Sequence, residues 1–245
     1  MNKIYGVIPA RFGSTRFPGK PLALISGKTM IRRVVEQVLK SKLIQKVLVA
    51  TDDERIMQEI VGSGAIGVMT HSDLPTGTDR VLAALNNDIP DIVVNIQGDE
   101  PLISPEIIDN CIGALLDAPS IVCSTPVTNI LDKNELANEN IVKVLFDKNY
   151  DALYFSRSAI PFVRKVPNEK NPFYKHIGLY AYRTKFLQQF VQMPQTELEM
   201  IESLEQLRIL ENGYKIKCIK TDYSPCGIDI YEDISKVEKL LESIE

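Results

Sequence analysis

Nowhere in the 245 residues does an apolar run approach the ~18 residues a membrane-spanning helix needs, and the N-terminus lacks the apolar core of a signal peptide. A soluble, cytoplasmic protein is expected. Tryptophan is absent and cysteine is sparse. Cys111, Cys123, Cys218 and Cys226 include no C-x-x-C pair, which argues against a zinc site and against a disulfide framework. In mostly apolar surroundings they read as small core residues. Acid is scarce in one place only: residues 1–50 hold ten Lys/Arg against the single acid Glu36, a net of +9, whereas residues 51–245 carry a net of −13. A positive field that local suits a small anionic substrate better than a long nucleic acid. Repeats and low-complexity linkers are lacking too, so no domain boundary shows and the chain reads as one domain over 1–245. With 44% apolar residues and a net charge of −4, it can bury a sizeable core as one large domain or two closely joined lobes.

The positive charge gathers in the loop Pro9 to Pro21, directly after the apolar strand Ile4 to Ile8. Arg11, Arg16 and Lys20 stand there with Gly13, Gly19, Ser14 and Thr15, and no acid. An open α/β sheet leaves its binding crevice at that end of a strand. Glycines let backbone N–H groups approach an anion, while Arg and Lys add charge and hydrogen bonds, so the loop has the chemistry of a polyphosphate cradle. It is not a P-loop: five residues separate Gly13 from Gly19, and Lys20 is followed by Pro21 instead of a magnesium-binding hydroxyl. Gly62-Ser63-Gly64-Ala65-Ile66-Gly67 matches G-x-G-x-x-G by letter, but the order predicted around it is helix, glycine stop, strand. The dinucleotide fingerprint requires strand then helix, so the match carries no function.

Apolar runs at 4–8, 46–50, 66–69, 91–96 and 120–124 predict buried strands, with helical patterns near 29–40, 53–61, 78–86 and 105–116 between them. In the first helix Met30, Ile31, Val34, Val35, Val38 and Leu39 form an apolar stripe behind the hydroxyl of Thr29. The alternation predicts an α/β fold with a mostly parallel, doubly wound sheet. Later runs at 141–146, 152–155, 174–182 and 214–219 predict further strands and a lobe, closed by a helix from about Tyr231. Asp99 follows the fourth strand in Gly98-Asp99-Glu100-Pro101, facing the same crevice as the cationic loop, and is the first choice for a magnesium ligand, with the reading of an exposed turn residue beside it. Asp229, just before the last helix, is a second candidate with the reading of a helix cap beside it. Along 174–182, period two places His176, Gly178 and Tyr180 on one strand face, where the glycine leaves either a ligand notch or a bulge. A buried helix near 200–212 would require partners for Glu205 and Gln206.

These segments together resemble a known family. Ile8 to Leu22 (IPARFGSTRFPGKPL), Val49 to Asp52 (VATD), Thr76 to Arg80 (TGTDR), Asn95 to Pro101 (NIQGDEP), Ala152 to Arg157 (ALYFSR), His176 to Tyr180 (HIGLY) and Leu204 to Arg208 (LEQLR) are similar to the 3-deoxy-manno-octulosonate (Kdo) cytidylyltransferases. The resemblance implies a Rossmann-like nucleotidyltransferase fold, a homodimer and conversion of CTP and Kdo to CMP-Kdo and diphosphate for lipopolysaccharide synthesis. Residues 1–130 would mainly bind nucleotide, and residues 131–245 would bind sugar and dimerise. It implies Arg11, Ser14 and Lys20 on the triphosphate and Arg80 and Gln97 near the nucleotide. Asp99 and Asp229 would hold Mg2+, and Arg157, His176, Tyr180, Glu205 and Gln206 would line the sugar. No nucleic acid or membrane partner is implied. The alternatives are 8-amino-Kdo or another 2-keto sugar acid as substrate and, in a different class, a nucleotide-binding module without turnover. Two segments depart from the family pattern. Asp79 stands where Glu is common, and Ile230-Tyr231 stands where Thr-Pro is usual, so the proline that would preorganise the turn after Asp229 is missing.

Overall fold

A computed structural model describes residues 2–13, 17–165 and 171–244. They form two compact units, one of 1–109 with 225–245 and one of 110–224. In the first, β1 (Ile4–Ala10) leads through the short hairpin strands β2 (Leu24–Ile25) and β3 (Lys28–Thr29) into α1 (Met30–Val38). Next come β4 (Lys46–Thr51), α2 (Glu54–Glu59), β5 (Ile66–Met69), α3 (Gly77–Ala84), β6 (Ile92–Asn95) and α4 (Pro105–Asp117), within which the chain passes to the second unit. The sheet of the first unit runs β5-β4-β1-β6 with every pair parallel. Its central strands are continuous apolar runs because parallel strands are covered on both faces: Val7, Ile8, Val49, Ile92, Val93 and Val94 are wholly buried. Met30, Ile31, Val34, Val35 and Val38 of α1 are wholly buried as well, each worth about 1.5–3 kcal/mol of transfer free energy. The Thr29 hydroxyl accepts from Arg32 N as its cap. Of the decoy glycines, Gly62 and Gly64 lie in the turn from α2 into β5 and Gly67 within β5, the order their sequence context predicts.

The second unit comprises β7 (Cys123–Asn129), α5 (Lys133–Ala137), β8 (Lys143–Phe146), β9 (Ala152–Ser156), β10 (Tyr174–His176), β11 (Tyr180–Arg183), α6 (Thr184–Phe190), α7 (Glu197–Glu202), α8 (Leu207–Glu211) and β12 (Ile216–Lys220). β7 pairs parallel with β12 and antiparallel with β10 and β11, while β8 joins β10 and β9 antiparallel. The chain then returns to the first unit and ends in α9 (Ile234–Ile244). Cys111, Cys123 and Cys218 are buried and unbridged, and Cys226 is half-buried. Among the described residues no helix is long and apolar enough to cross a membrane.

Three predicted elements differ in detail. The strand expected at 120–124 begins at Cys123, because Ile121 N bonds Ala118 O and closes a turn after α4. The run 174–182 is one strand interrupted at 177–179. β10 and β11 both pair with β7, but the register slips between His176↔Val127 and Ala181↔Ser124. Leu179 N bonds Ile177 O around Gly178, so the glycine sits in a bulge. The helix expected over 200–212 is two short helices, broken where Ser203 takes a left-handed conformation (φ 52°) and Leu204 N bonds Glu199 O. Its apolar residues therefore divide: Leu204, Leu207 and Ile209 are buried, and Ile201 is exposed.

Candidate active site

In the first unit the sequence Phe17-Pro18-Gly19-Lys20 builds a type II turn. Pro18 presets the first central torsion, Gly19 supplies the positive one (φ 72°), and Lys20 N bonds Phe17 O at 3.2 Å. Gly19 N bonds Phe12 O at 3.0 Å, which closes the loop on itself. The turn delivers Lys20 Nζ to 2.7 Å from Asp99 Oδ2 and 3.8 Å from Asp229 Oδ1. Asp99 follows β6 in a tight turn. A Cβ on Gly98 would lie 2.9 Å from the Pro9 carbonyl oxygen, so only glycine lets the ends of β1 and β6 come this close. Arg11, Lys20, Gln97 and Asp99 line one cavity with Pro9 and Gly98.

Asp229 is held at the site by its neighbours. Ile228 is wholly buried among Ile25, Met30, Ile234 and Val237, and its N–H bonds Asp99 O at 3.0 Å. The Asp233 carboxylate accepts from Asp229 N (3.1 Å) and Ile230 N (3.3 Å), and Tyr231 meets Phe17 edge-on at 5.8 Å. An aspartate cap and an aromatic contact thus shape the turn that a proline would otherwise preorganise. Arg80 is buried in α3, with Nη2 3.1 Å from Asp52 Oδ2 and Nη1 on Thr70 Oγ1. Burial lowers its pKa, Asp52 opposes that and Arg11 adds to it, so two cations share this end of the sheet. Ser14 lies outside the described residues.

The remaining predicted residues are in the second unit. His176 and Tyr180 flank the bulge with ring centroids 5.1 Å apart, and Phe155 meets His176 edge-on at 5.4 Å. Burial pushes the imidazole pKa down to about 3 and the Tyr180 phenol well above its usual value. Arg157 donates to the carbonyls of Glu202 (2.8 Å), Glu139 (3.0 Å) and Ser203 (3.3 Å). Gln206 is buried at the start of α8, whereas Glu205 is half-buried, with Oε1 3.9 Å from Arg208. The buried carboxylate of this region is Glu199. It accepts from Arg208 Nε at 2.7 Å and also from Nη2, while Arg208 Nη1 donates to Met193 O at 3.3 Å.

Sequence reasoning assigned no role to Glu199, Glu202, Asp52 or Thr125. A signal existed for two of them. Thr196-x-x-Glu199 is a capping-box pattern, and Asp52 lies just past the end of a buried strand, as Asp99 lies past another. Glu202, which accepts from Ser156 Oγ (2.6 Å) and Arg157 N (2.9 Å), had none.

Residues 5–216 match the family model described as cytidylyltransferase. A 3-deoxy-manno-octulosonate cytidylyltransferase of Pelobacter propionicus is 45% identical across 99% of this chain and 98% of its own length. One of Thermodesulfovibrio yellowstonii is 47% identical across 97% of each. This chain belongs to the 3-deoxy-manno-octulosonate cytidylyltransferase family. The fold agrees: a CMP:2-keto-3-deoxy-manno-octonic acid synthetase solved in complex with CTP matches with a TM-score of 0.93 at 39% identity, covering 99% of this chain and 100% of that one. As a cytidylyltransferase the chain is an enzyme of nucleotidyl transfer, and its cationic loop and paired aspartates suit a reaction at phosphate.

Proposed function

We propose that this cytidylyltransferase condenses CTP with Kdo to form CMP-Kdo and diphosphate. The convergence of Asp99 and Asp229 on Lys20 Nζ, beside a loop with the chemistry of a polyphosphate cradle, is the observation that carries the reading. The anomeric C2 hydroxyl of the sugar attacks the α-phosphorus in line. Its O–P bond forms as the bond to the departing diphosphate breaks, and the hydroxyl proton is released to water. Both substrates are anions, so Arg11 and Lys20 neutralise the phosphates and stabilise the charge that builds on the leaving group, and the Ser14 hydroxyl is assigned to the triphosphate with them. Arg80 and Gln97 border the nucleotide.

The donor set suits Mg2+: two carboxylates, hard oxygen ligands, meet at one cationic position. Among the described residues no group of three or more His, Cys, Asp or Glu side chains is placed to hold a metal. Magnesium needs no such group, because one or two carboxylates and the substrate phosphates suffice. When bound, the ion supplies charge neutralisation and a template for the phosphates. In the second unit, His176, Tyr180, Glu205 and Gln206 receive the sugar polyol. Arg157 provides positive charge for the sugar carboxylate from the donors not spent on backbone carbonyls. We place the reaction in the cytoplasm, upstream of lipopolysaccharide assembly, in a homodimer.

Diphosphate release measured with CTP, UTP and ATP against Kdo, 8-amino-Kdo and N-acetylneuraminate tests the proposal. CTP with Kdo should be the best pair. A clear preference for 8-amino-Kdo or N-acetylneuraminate would reassign the substrate. Asp99→Asn should lower turnover ~10²-fold or more with the fold retained. Full activity in EDTA, or in that variant, would overturn the metal assignment.

A further inference from the structure

The bulge at 177–179 holds a hydrogen-bond arrangement that determines where the proton on His176 sits. Thr125, wholly buried in β7, has its Oγ1 2.7 Å from Leu179 O, 3.2 Å from Ile177 O and 3.0 Å from His176 Nε2. A hydroxyl carries one hydrogen, and a carbonyl oxygen only accepts. The Thr125 hydrogen therefore goes to the carbonyls, since otherwise two lone-pair-bearing oxygens would face each other at 2.7 Å. Toward His176 the hydroxyl then only accepts, so Nε2 carries the proton of the ring and Nδ1 carries the lone pair. His176 keeps partial exposure while Thr125 has none, and Phe155 and Tyr180 pack against the ring.

We propose that Thr125 is a positioning residue that sets the His176 tautomer, so that Nδ1 accepts a hydrogen bond from a hydroxyl of the sugar instead of donating one to its carboxylate. The inference rests on the placement of His176 in the sugar site proposed above. A neutral ring fits it, since burial keeps the imidazole pKa down at about 3. No role in the chemical step is assigned to either side chain.

The chain has only two histidines, His71 and His176, so 15N-detected NMR of the ligand-free, full-length protein resolves them. A pyrrole-like Nε2 and a pyridine-like Nδ1 at His176 are expected. The reverse pattern overturns the proposal, whichever sugar the enzyme uses. Thr125→Val removes the acceptor and should raise the Kdo KM by about 3- to 10-fold, the worth of one net hydrogen bond, with the CTP KM unchanged. Thr125→Ser keeps the hydroxyl and should restore both the spectrum and the KM. An unchanged Kdo KM in Thr125→Val, or a serine variant as impaired as the valine, would show that Thr125 only supports packing. Should the valine variant not fold, the wild-type spectrum and the serine variant still decide the matter. Should wild type turn over another sugar but not Kdo, the substrate reading fails while the tautomer measurement stands independently.

Discussion

A lysine ammonium 2.7 Å from one aspartate and 3.8 Å from another supplies charge that both carboxylates need. Lys20→Ala should leave Asp99 and Asp229 facing each other without it, and turnover should fall by ~10²-fold while the Kdo KM stays within about threefold. Equal losses in both parameters would place Lys20 on the sugar instead of the triphosphate. His176 makes a prediction of a different kind. Its folded pKa, about 3, lies below the ~6.5 of an unfolded histidine, so the unfolded chain takes up the proton first as pH falls. The stabilisation from a neutral His176 is present above pH ~6.5 and is lost progressively toward pH 3, at up to about 1.4 kcal/mol per pH unit. Between pH 6.5 and 5, where most carboxylates remain ionised, the urea midpoint of the wild type should drop. His176→Gln should flatten that drop, and an unaltered pH slope in the variant would mean the imidazole is protonated in the folded protein.

At the scale of elements, two junctions carry the placement of site residues. The Gly98 Cα sits so close to Pro9 that Gly98→Ala forces the ends of β1 and β6 apart, and with them Arg11 and Asp99. Its expected cost is about 1–3 kcal/mol in urea denaturation, accompanied by loss of turnover. A variant as stable and active as wild type would show that the two strand ends give way freely. In the second unit, Arg208 ties α8 to Glu199 of α7 and to the carbonyl of Met193. Leaving one partner of a buried pair unmatched is costlier than never having had the pair, so Arg208→Met should destabilise by about 3–5 kcal/mol. The double variant Glu199→Leu, Arg208→Met should recover part of that loss, and an additive loss in the double would argue against coupling. The elements themselves differ in how legible they were. α1 and the parallel strands follow from periodicity and continuous apolar runs. The break at Ser203 does not, because a serine at positive φ carries none of the glycine signal that normally marks a helix stop.

At the scale of the molecule, large apolar side chains of the second unit are left on its surface: Phe162 at 91% exposure, Leu131 at 86% and Ile201 at 70%. The first unit carries the cationic loop. We expect self-association in solution, with elution and light scattering at about twice the 27.5 kDa chain mass through a symmetric pair. A stable monomer at micromolar concentration would remove the homodimer from the proposed function. The positive balance of residues 1–50 within a chain of net charge −4 also predicts that nucleotide affinity weakens as salt rises.

What the sequence determined by itself is what acts over a few residues: the apolar runs that become buried strands, the stripe of α1, and the Phe17-Pro18-Gly19-Lys20 turn. In that turn a fixed proline torsion and a permissive glycine settle the conformation before any tertiary contact forms. The motifs of the cationic loop and of Asp99 were legible for the same reason, each being a strand end followed by a short, chemically distinctive segment. Only the tertiary structure decided which distant groups meet. Asp229 reaches Lys20 because Ile228 is buried beside Met30 and bonds the Asp99 carbonyl, contacts that local preference does not encode. The interruption at 177–179 likewise depends on Thr125 from another strand, whose hydroxyl lies within hydrogen-bonding distance of both carbonyls of the bulge. Torsional preference reaches a turn or two along the chain, whereas a buried hydrogen bond is satisfied by whatever the topology brings within 3 Å, and that is why the sugar-side arrangement appears only in the folded molecule.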